Sequence, residues 1–217
     1  MPRYRVVHAI GYRFTRPLAG ASLELRLTPR TNRRQLIEHH QILVEPRPRS
    51  SSTAEDGHGN TVQRLTLDAG SSVLQLTAIT TVRSASTALL PCDLANLQEA
   101  LAGAGVDCTP VTVAQRGLCR ERSERALAAL DAAGLECRYV SGYLLSPEHR
   151  QTLPHAWLAV RLPRSGWLEY DPTILAPARS HLKLALGRIY EDVAPVSGQL
   201  TAAGPYRLVS TVDVEPL

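Results

Sequence analysis

The chain has 217 residues, 44% of them hydrophobic and 20% charged, which suits one large or two small globular domains. Its net charge of +4 is nearly all arginine, spread along the chain without aromatic interleaving, and this excludes a nucleic-acid footprint. No window approaches the roughly 20 apolar residues of a membrane helix, and Met1-Pro2-Arg3-Tyr4 runs into strand-like sequence without a signal-peptide core, so a cytoplasmic protein with no membrane partner is expected.

In that compartment Cys92, Cys108, Cys119 and Cys137 are expected to be reduced. None of them pairs as Cys-x-x-Cys, so no zinc site is expected. Residues 3–83 read as all β. Tyr4, Val6, His8, Ile10, Tyr12 and Phe14 alternate over a long strand interrupted by Gly11. Further strands are expected at Leu23–Leu27, Leu36–Val44, Thr61–Leu67 and Val73–Val82. Asp56-Gly57-His58-Gly59-Asn60 is dense in turn formers. Ser50-Ser51-Ser52 is too short for a linker. Five strands with short polar turns predict a small sandwich or barrel.

The pattern changes near residue 85. Asp93–Ala104 predicts a short helix capped by Asp93 and ended by Gly103 or Gly105. Cys119–Ala133 predicts a second, with Ala126, Leu127, Leu130 and Ala133 on one face and Gly134 as its stop. Strands follow at Cys137–Leu145, His155–Leu162, Trp167–Tyr170 and Tyr206–Val214. A helix packed on an antiparallel sheet makes the second half α+β.

Three residues carry chemistry. Cys119 opens the second helix, where the dipole and unpaired backbone N–H groups favour a thiolate. Arg116, Arg120 and Arg122 would add to that effect. The commoner fate of a cysteine is structural burial, and that is the expectation for Cys92, Cys108 and Cys137. His155 opens a strand and can act as general base and acid toward a thiolate. Asp171 follows Tyr170 and can accept the second imidazole N–H, fixing its tautomer; alone, it also fits an Asp-Pro turn. The other histidines look like surface or hydrogen-bonded residues. His39 and His40 are adjacent in a strand and face opposite ways, while His8, His58, His149 and His181 have no evident partners.

With these residues in hand, the sequence resembles the bacterial transglutaminase-like proteins of the papain-like cysteine superfamily. Gly117-Leu118-Cys119 looks like the nucleophile motif, His155-Ala156-Trp157 like the histidine motif, and Gly166-Trp167-Leu168-Glu169-Tyr170-Asp171-Pro172-Thr173 like the aspartate motif. Arg138-Tyr139-Val140-Ser141-Gly142-Tyr143-Leu144 and the run from His181 to Gly198 are similar to other family segments, and the N-terminal half is similar to the family's accessory β-domain. The resemblance implies an N-terminal antiparallel β-sandwich or barrel over residues 1–84, then a transglutaminase-like core over 85–217. It further implies a Cys119–His155–Asp171 triad and acyl transfer on peptide, amide or thioester substrates without a cofactor or metal. Water as acceptor gives a protease or amidase; an amine gives a transglutaminase or acyltransferase. The implied partners are the substrate and either a second copy or a peptide-ligating protein.

Two features depart from the family pattern. Only about thirty residues separate Ser84 from Cys119, where relatives usually carry a long helical stretch that walls the cleft. Arg120-Glu121-Arg122-Ser123-Glu124-Arg125 replaces an apolar start to the helix and predicts a more exposed first turn. Both features fit an alternative in which the fold serves as a binding or scaffolding module without turnover.

Overall fold

The computed structural model describes residues 1–85, 91–106, 119–145, 151–202 and 204–217. Cys108, Arg116, Gly117, Leu118 and His149 lie outside the described residues.

Alternating apolar residues build the first strands. β1 (Arg3–Phe14) buries Val6, His8, Ile10, Tyr12 and Phe14 on one face and runs through Gly11 unbroken. β2 (Leu18–Leu25) and β3 (Gln35–Glu45) follow. Next come β4 (Ser50–Glu55), β5 (Thr61–Leu67) and β6 (Val73–Ser84). β4 is a strand that periodicity does not announce. It is Ser-rich and exposed throughout, and it is held by pairing with β5 from Ser50↔Thr66 to Glu55↔Thr61.

α1 (Pro91–Gly103) starts two residues before the expected cap, with proline in the first turn, where its missing N–H costs nothing. α2 (Cys119–Ala132) buries Ser123, Ala126 and Leu130. Gly134 stops it in a left-handed conformation (φ 78°), while Leu135 N–H bonds the Leu130 carbonyl at 3.0 Å. The chain then forms β7 (Cys137–Leu144), β8 (Gln151–Thr152), β9 (His155–Leu162), β10 (Gly166–Asp171) and β11 (Ala176–Pro177). It ends with β12 (His181–Gly187), α3 (Tyr190–Val193), β13 (Val196–Ala202) and β14 (Tyr206–Pro216).

Three antiparallel sheets result, in the orders β3-β6-β1-β14-β8, β13-β2-β5-β4 and β11-β10-β9-β7-β12. The third carries α1 and α2, whose Leu97, Leu101, Ala126 and Leu130 pack on Leu158, Val160 and Leu168. Each fully buried leucine there contributes about 1.5–3 kcal/mol. The first two sheets face one shared core that Tyr143, Leu182 and Leu184 of the third, with Leu145 just after β7, also enter.

The strands do not divide at residue 84. β14 pairs with β1 from Tyr4↔Pro216 to Phe14↔Tyr206, and β13 pairs with β2. Residues 196–216, expected with the second half, therefore complete the sheets of the first. Local periodicity marks a strand but not its neighbour.

Buried polar groups join the sheets. In the predicted turn, Asp56 Oδ1 accepts the backbone N–H groups of His58 and Asn60. Asn60 is fully buried and binds both backbone groups of Leu186 in β12, at 2.7 and 2.8 Å. His8 of β1 joins Tyr143 of β7 and Ser210 of β14, each at 2.9 Å. Burial lowers its pKa to about 4, so it is neutral at pH 7. His8 and His58, expected to lack partners, both have them; His58 Nε2 lies 3.4 Å from Asp192 Oδ2.

Candidate active site

Adjacent elements of the third sheet bring the three sequence-marked residues together. His155 begins β9, opposite Gly142 of β7. Asp171 ends β10, the antiparallel neighbour of β9, so both residues lie at the same end of this strand pair. α2 packs across β9 and β7 with Cys119 as its first residue. The first N–H groups of a helix have no intrahelical partner and form the positive end of its dipole, a setting that favours a thiolate.

His155 Nε2 donates to Asp171 Oδ2 at 2.6 Å, which leaves Nδ1 free, and Cys119 is near enough to help raise the His155 pKa. Burial disfavours a charged imidazole here. The hydrogen bond to Asp171 and the proximity of Cys119, with the charges of both, outweigh burial and raise the His155 pKa from 6.5 to about 9. Asp171 is fully buried. Burial alone would raise its pKa, but its hydrogen bonds to His155 and His181 and their charges hold it well below the usual carboxylate range. Its Oδ1 accepts the Thr173 N–H at 2.8 Å, so the Asp-Pro turn also orients the carboxylate.

The expectation that His181 lacks a partner is corrected. Its Nε2 donates to the same Asp171 Oδ2 at 2.9 Å, and its side chain is 2% exposed. Trp157 lies over both imidazoles, stacked on His155 at 6.3 Å and edge-on to His181 at 4.7 Å. Trp157 Nε1 donates to Glu169, which Lys183 neutralises at 2.5 Å. His181 escaped notice because β12 shows no strict alternation: both Leu184 and Ala185 are buried, at a register shift between Lys183 and Ala185.

His155, Asp171 and His181 offer ligand atoms within 4.8 Å of one another, a set able to hold a metal ion. Both Nε2–H groups meet Asp171 Oδ2 with hydrogen-bond geometry, however, so an ion would have to replace both shared protons. The donor directions fit proton sharing.

Cys119 and His155 open onto a cavity of about 360 Å³ lined largely by apolar side chains. Ile10 and Leu208 come from the N-terminal sheet, Tyr139 and Tyr190 from the core. The Tyr139 hydroxyl is buried without a partner, and burial followed by the charge of Cys119 raises its pKa.

Residues 4–83 match the family model for the bacterial transglutaminase-like N-terminal region, and residues 94–172 match that for the transglutaminase-like superfamily. The two matched regions place an N-terminal region and a core similar to the transglutaminase-like superfamily in succession along the chain. The transglutaminase-like match encloses Cys119, His155 and Asp171. The chain is similar to an uncharacterized protein of Mycobacterium leprae, 27% identical with 100% of both chains covered. It is similar also to one of Mycobacterium tuberculosis, 26% identical over 99% of this chain and 93% of the relative. The first alignment runs to 281 positions, so that relative carries stretches this 217-residue chain lacks. In fold the chain is similar to the crystal structure of "a Putative Cysteine Protease from Cytophaga hutchinsonii", with a TM-score of 0.70, 16% identity and 100% and 91% of the two chains covered.

Around this transglutaminase-like core, four expectations need adjustment. Arg120 does not serve the thiolate alone: its guanidinium stacks over Tyr190 at 3.7 Å and pairs with Glu124 at 2.8 Å. Arg122 donates to the Pro172 carbonyl at 2.9 Å, tying α2 to the residue after Asp171. The polar first turns of α2 are not uniformly exposed, because helical periodicity turns Ser123 into the core below Cys119. Among the other cysteines, Cys92 is exposed rather than buried, and Cys137 is half-buried. Burial, with Asp131 and Glu136 nearby, pushes the Cys137 thiol up to about 11. Among the described residues no helix is long and apolar enough to cross a membrane.

Proposed function

We propose that the protein is a cysteine-dependent acyl-transfer enzyme acting on peptide or amide carbonyls through Cys119, His155 and Asp171. The observation that carries this reading is His155, bound to Asp171 on one nitrogen at 2.6 Å and lining one cavity with Cys119. Cys119 Sγ attacks the carbonyl carbon. The imidazolium proton of His155 passes to the leaving nitrogen as the C–N bond breaks, leaving a thioester on Cys119. Acylation also removes the thiolate that helped raise the His155 pKa. The imidazole is then a freer base and takes a proton from water or an amine, which attacks the thioester and releases Cys119. The largely apolar cavity wall favours an uncharged group beside the carbonyl.

Iodoacetamide labelling at graded pH tests the reading. At neutral pH Cys119 should alkylate at least tenfold faster than Cys92, and His155→Ala should abolish the difference. A Cys119 no faster than exposed Cys92, or indifferent to His155→Ala, sinks the enzyme reading. A fluorogenic peptide amide with and without a primary amine then separates hydrolysis from amide formation.

The second reading, a binding or scaffolding module, is favoured by the stretches that the Mycobacterium leprae relative carries and this chain lacks. It predicts an unreactive Cys119 in a folded protein.

A further inference from the structure

Two imidazoles converge on one carboxylate oxygen. Asp171 Oδ2 accepts His155 Nε2 at 2.6 Å and His181 Nε2 at 2.9 Å. Asp171 is fully buried and the His181 side chain is 2% exposed. His181 Nδ1 is buried and has no hydrogen-bond partner. A proton on Nδ1 would therefore be stranded, whereas one on Nε2 is shared with Asp171. We infer that His181 is a positioning residue: it donates a second hydrogen bond to Asp171 and thereby sets how tightly that carboxylate holds the proton shuttled by His155. The inference rests on the proposed roles of Cys119, His155 and Asp171.

Two effects follow from the geometry. With Oδ1 fixed by the Thr173 N–H and Oδ2 by His181, the carboxylate is oriented whether or not His155 is hydrogen-bonded to it. It is preorganised through the cycle. A carboxylate oxygen that accepts two N–H groups is also a weaker partner for each than for one alone. His181 therefore moderates the pull of Asp171 on the His155 proton. Without His181, Asp171 Oδ2 is held by His155 alone, and the imidazolium becomes too stable to release its proton. That would slow the step in which His155 must be neutral.

Among the described residues, Arg34, Arg179 and Glu169 line a small pocket together with His181. Cys119 faces His155 from α2, and His181 faces Asp171 from β12. Behind Trp157 stands the Glu169–Lys183 pair, and Arg122 is bound to the carbonyl of Pro172. Glu169 and Lys183 offset each other, and His181 is the side chain that shares Asp171 Oδ2 with His155.

The test compares His181→Phe, which keeps a ring against Trp157 but removes the donor, with His181→Gln, whose amide N–H can replace Nε2–H. The His155 titration is followed by NMR of its ring Cε1–H, alongside the pH profile of Cys119 alkylation by iodoacetamide. In His181→Phe the His155 midpoint should rise by about one pH unit, tenfold in proton affinity. His181→Gln should stay within a few tenths of the unsubstituted protein. A folded His181→Phe protein with an unmoved or lowered midpoint overturns the inference. If His181→Phe does not fold, ring ¹⁵N shifts of the unsubstituted protein at pH 7.5 decide. A His181 proton on Nε2 with Nδ1 bare supports the inference; the opposite tautomer overturns it. An unreactive Cys119 would sink the proposed function while leaving the His155 titration readable.

Discussion

His155 and Asp171 are held in their charged forms by each other, and each confers a pH dependence of opposite sense on stability. The His155 pKa is raised from 6.5 to about 9, so its contribution is complete below pH 6.5 and is lost as pH rises through about 9. Asp171 is lowered, so its contribution is present above its ordinary value of 3.8 and is lost as pH falls through its folded value. The alkaline arm is worth about 3 kcal/mol, since each pKa unit corresponds to roughly 1.4 kcal/mol. Urea unfolding should therefore show higher stability at pH 6 than at pH 9.5, and His155→Gln should flatten that difference. An equally steep alkaline loss in His155→Gln would assign the arm to other groups. At this scale the triad was legible because each member sits at a place that limits its role: a helix start, a strand start, a strand end. His181 was not, since one histidine in an apolar run shows nothing of the carboxylate across the sheet.

Strand β7 shows how an element can constrain the site without contributing a reactive group. Gly142 pairs with His155 on one side and Lys183 on the other. A Cβ at Gly142 would collide with the Leu182 carbonyl and come within 2.6 Å of Trp157 Cη2. Trp157 lies against both imidazoles, so any shift reaches the site. Gly142→Ala should cost about 1–3 kcal/mol through overpacking, and more if the Leu182 backbone cannot yield. Denaturant midpoints should drop, and Cys119 alkylation should slow in the protein that remains folded. Unchanged values for both would mean the sheet has slack there. Most strands were legible from alternation, as in β1 and β6, whose inner residues are buried in turn. β4 was invisible because it has no apolar face, and β12 and β13 because pairing rather than local pattern makes them strands.

The largest gap between sequence and fold is topological. Nothing in Tyr206–Pro216 states that it lies beside β1, at the opposite end of the chain, yet this strand ties the halves together. It fills the edge of β1 left open by β6, buries Val212 and Val214 in the shared core, and through Ser210 holds His8. It also pairs with β8 at Val212↔Thr152 and Asp213↔Gln151, just ahead of Leu153, Pro154 and His155. Leu208 and Ser210 line the cavity at Cys119. Removing residues 206–217 should therefore do more than shorten an accessory sheet. It would unpair β1 along its length, expose an edge strand prone to association, and release the segment that leads into His155. Size-exclusion chromatography should show the truncated chain aggregated or expanded. Any soluble fraction should alkylate Cys119 no faster than Cys92. A monomeric truncated protein with full Cys119 reactivity would show that the core stands without β14 and that the halves are energetically separate.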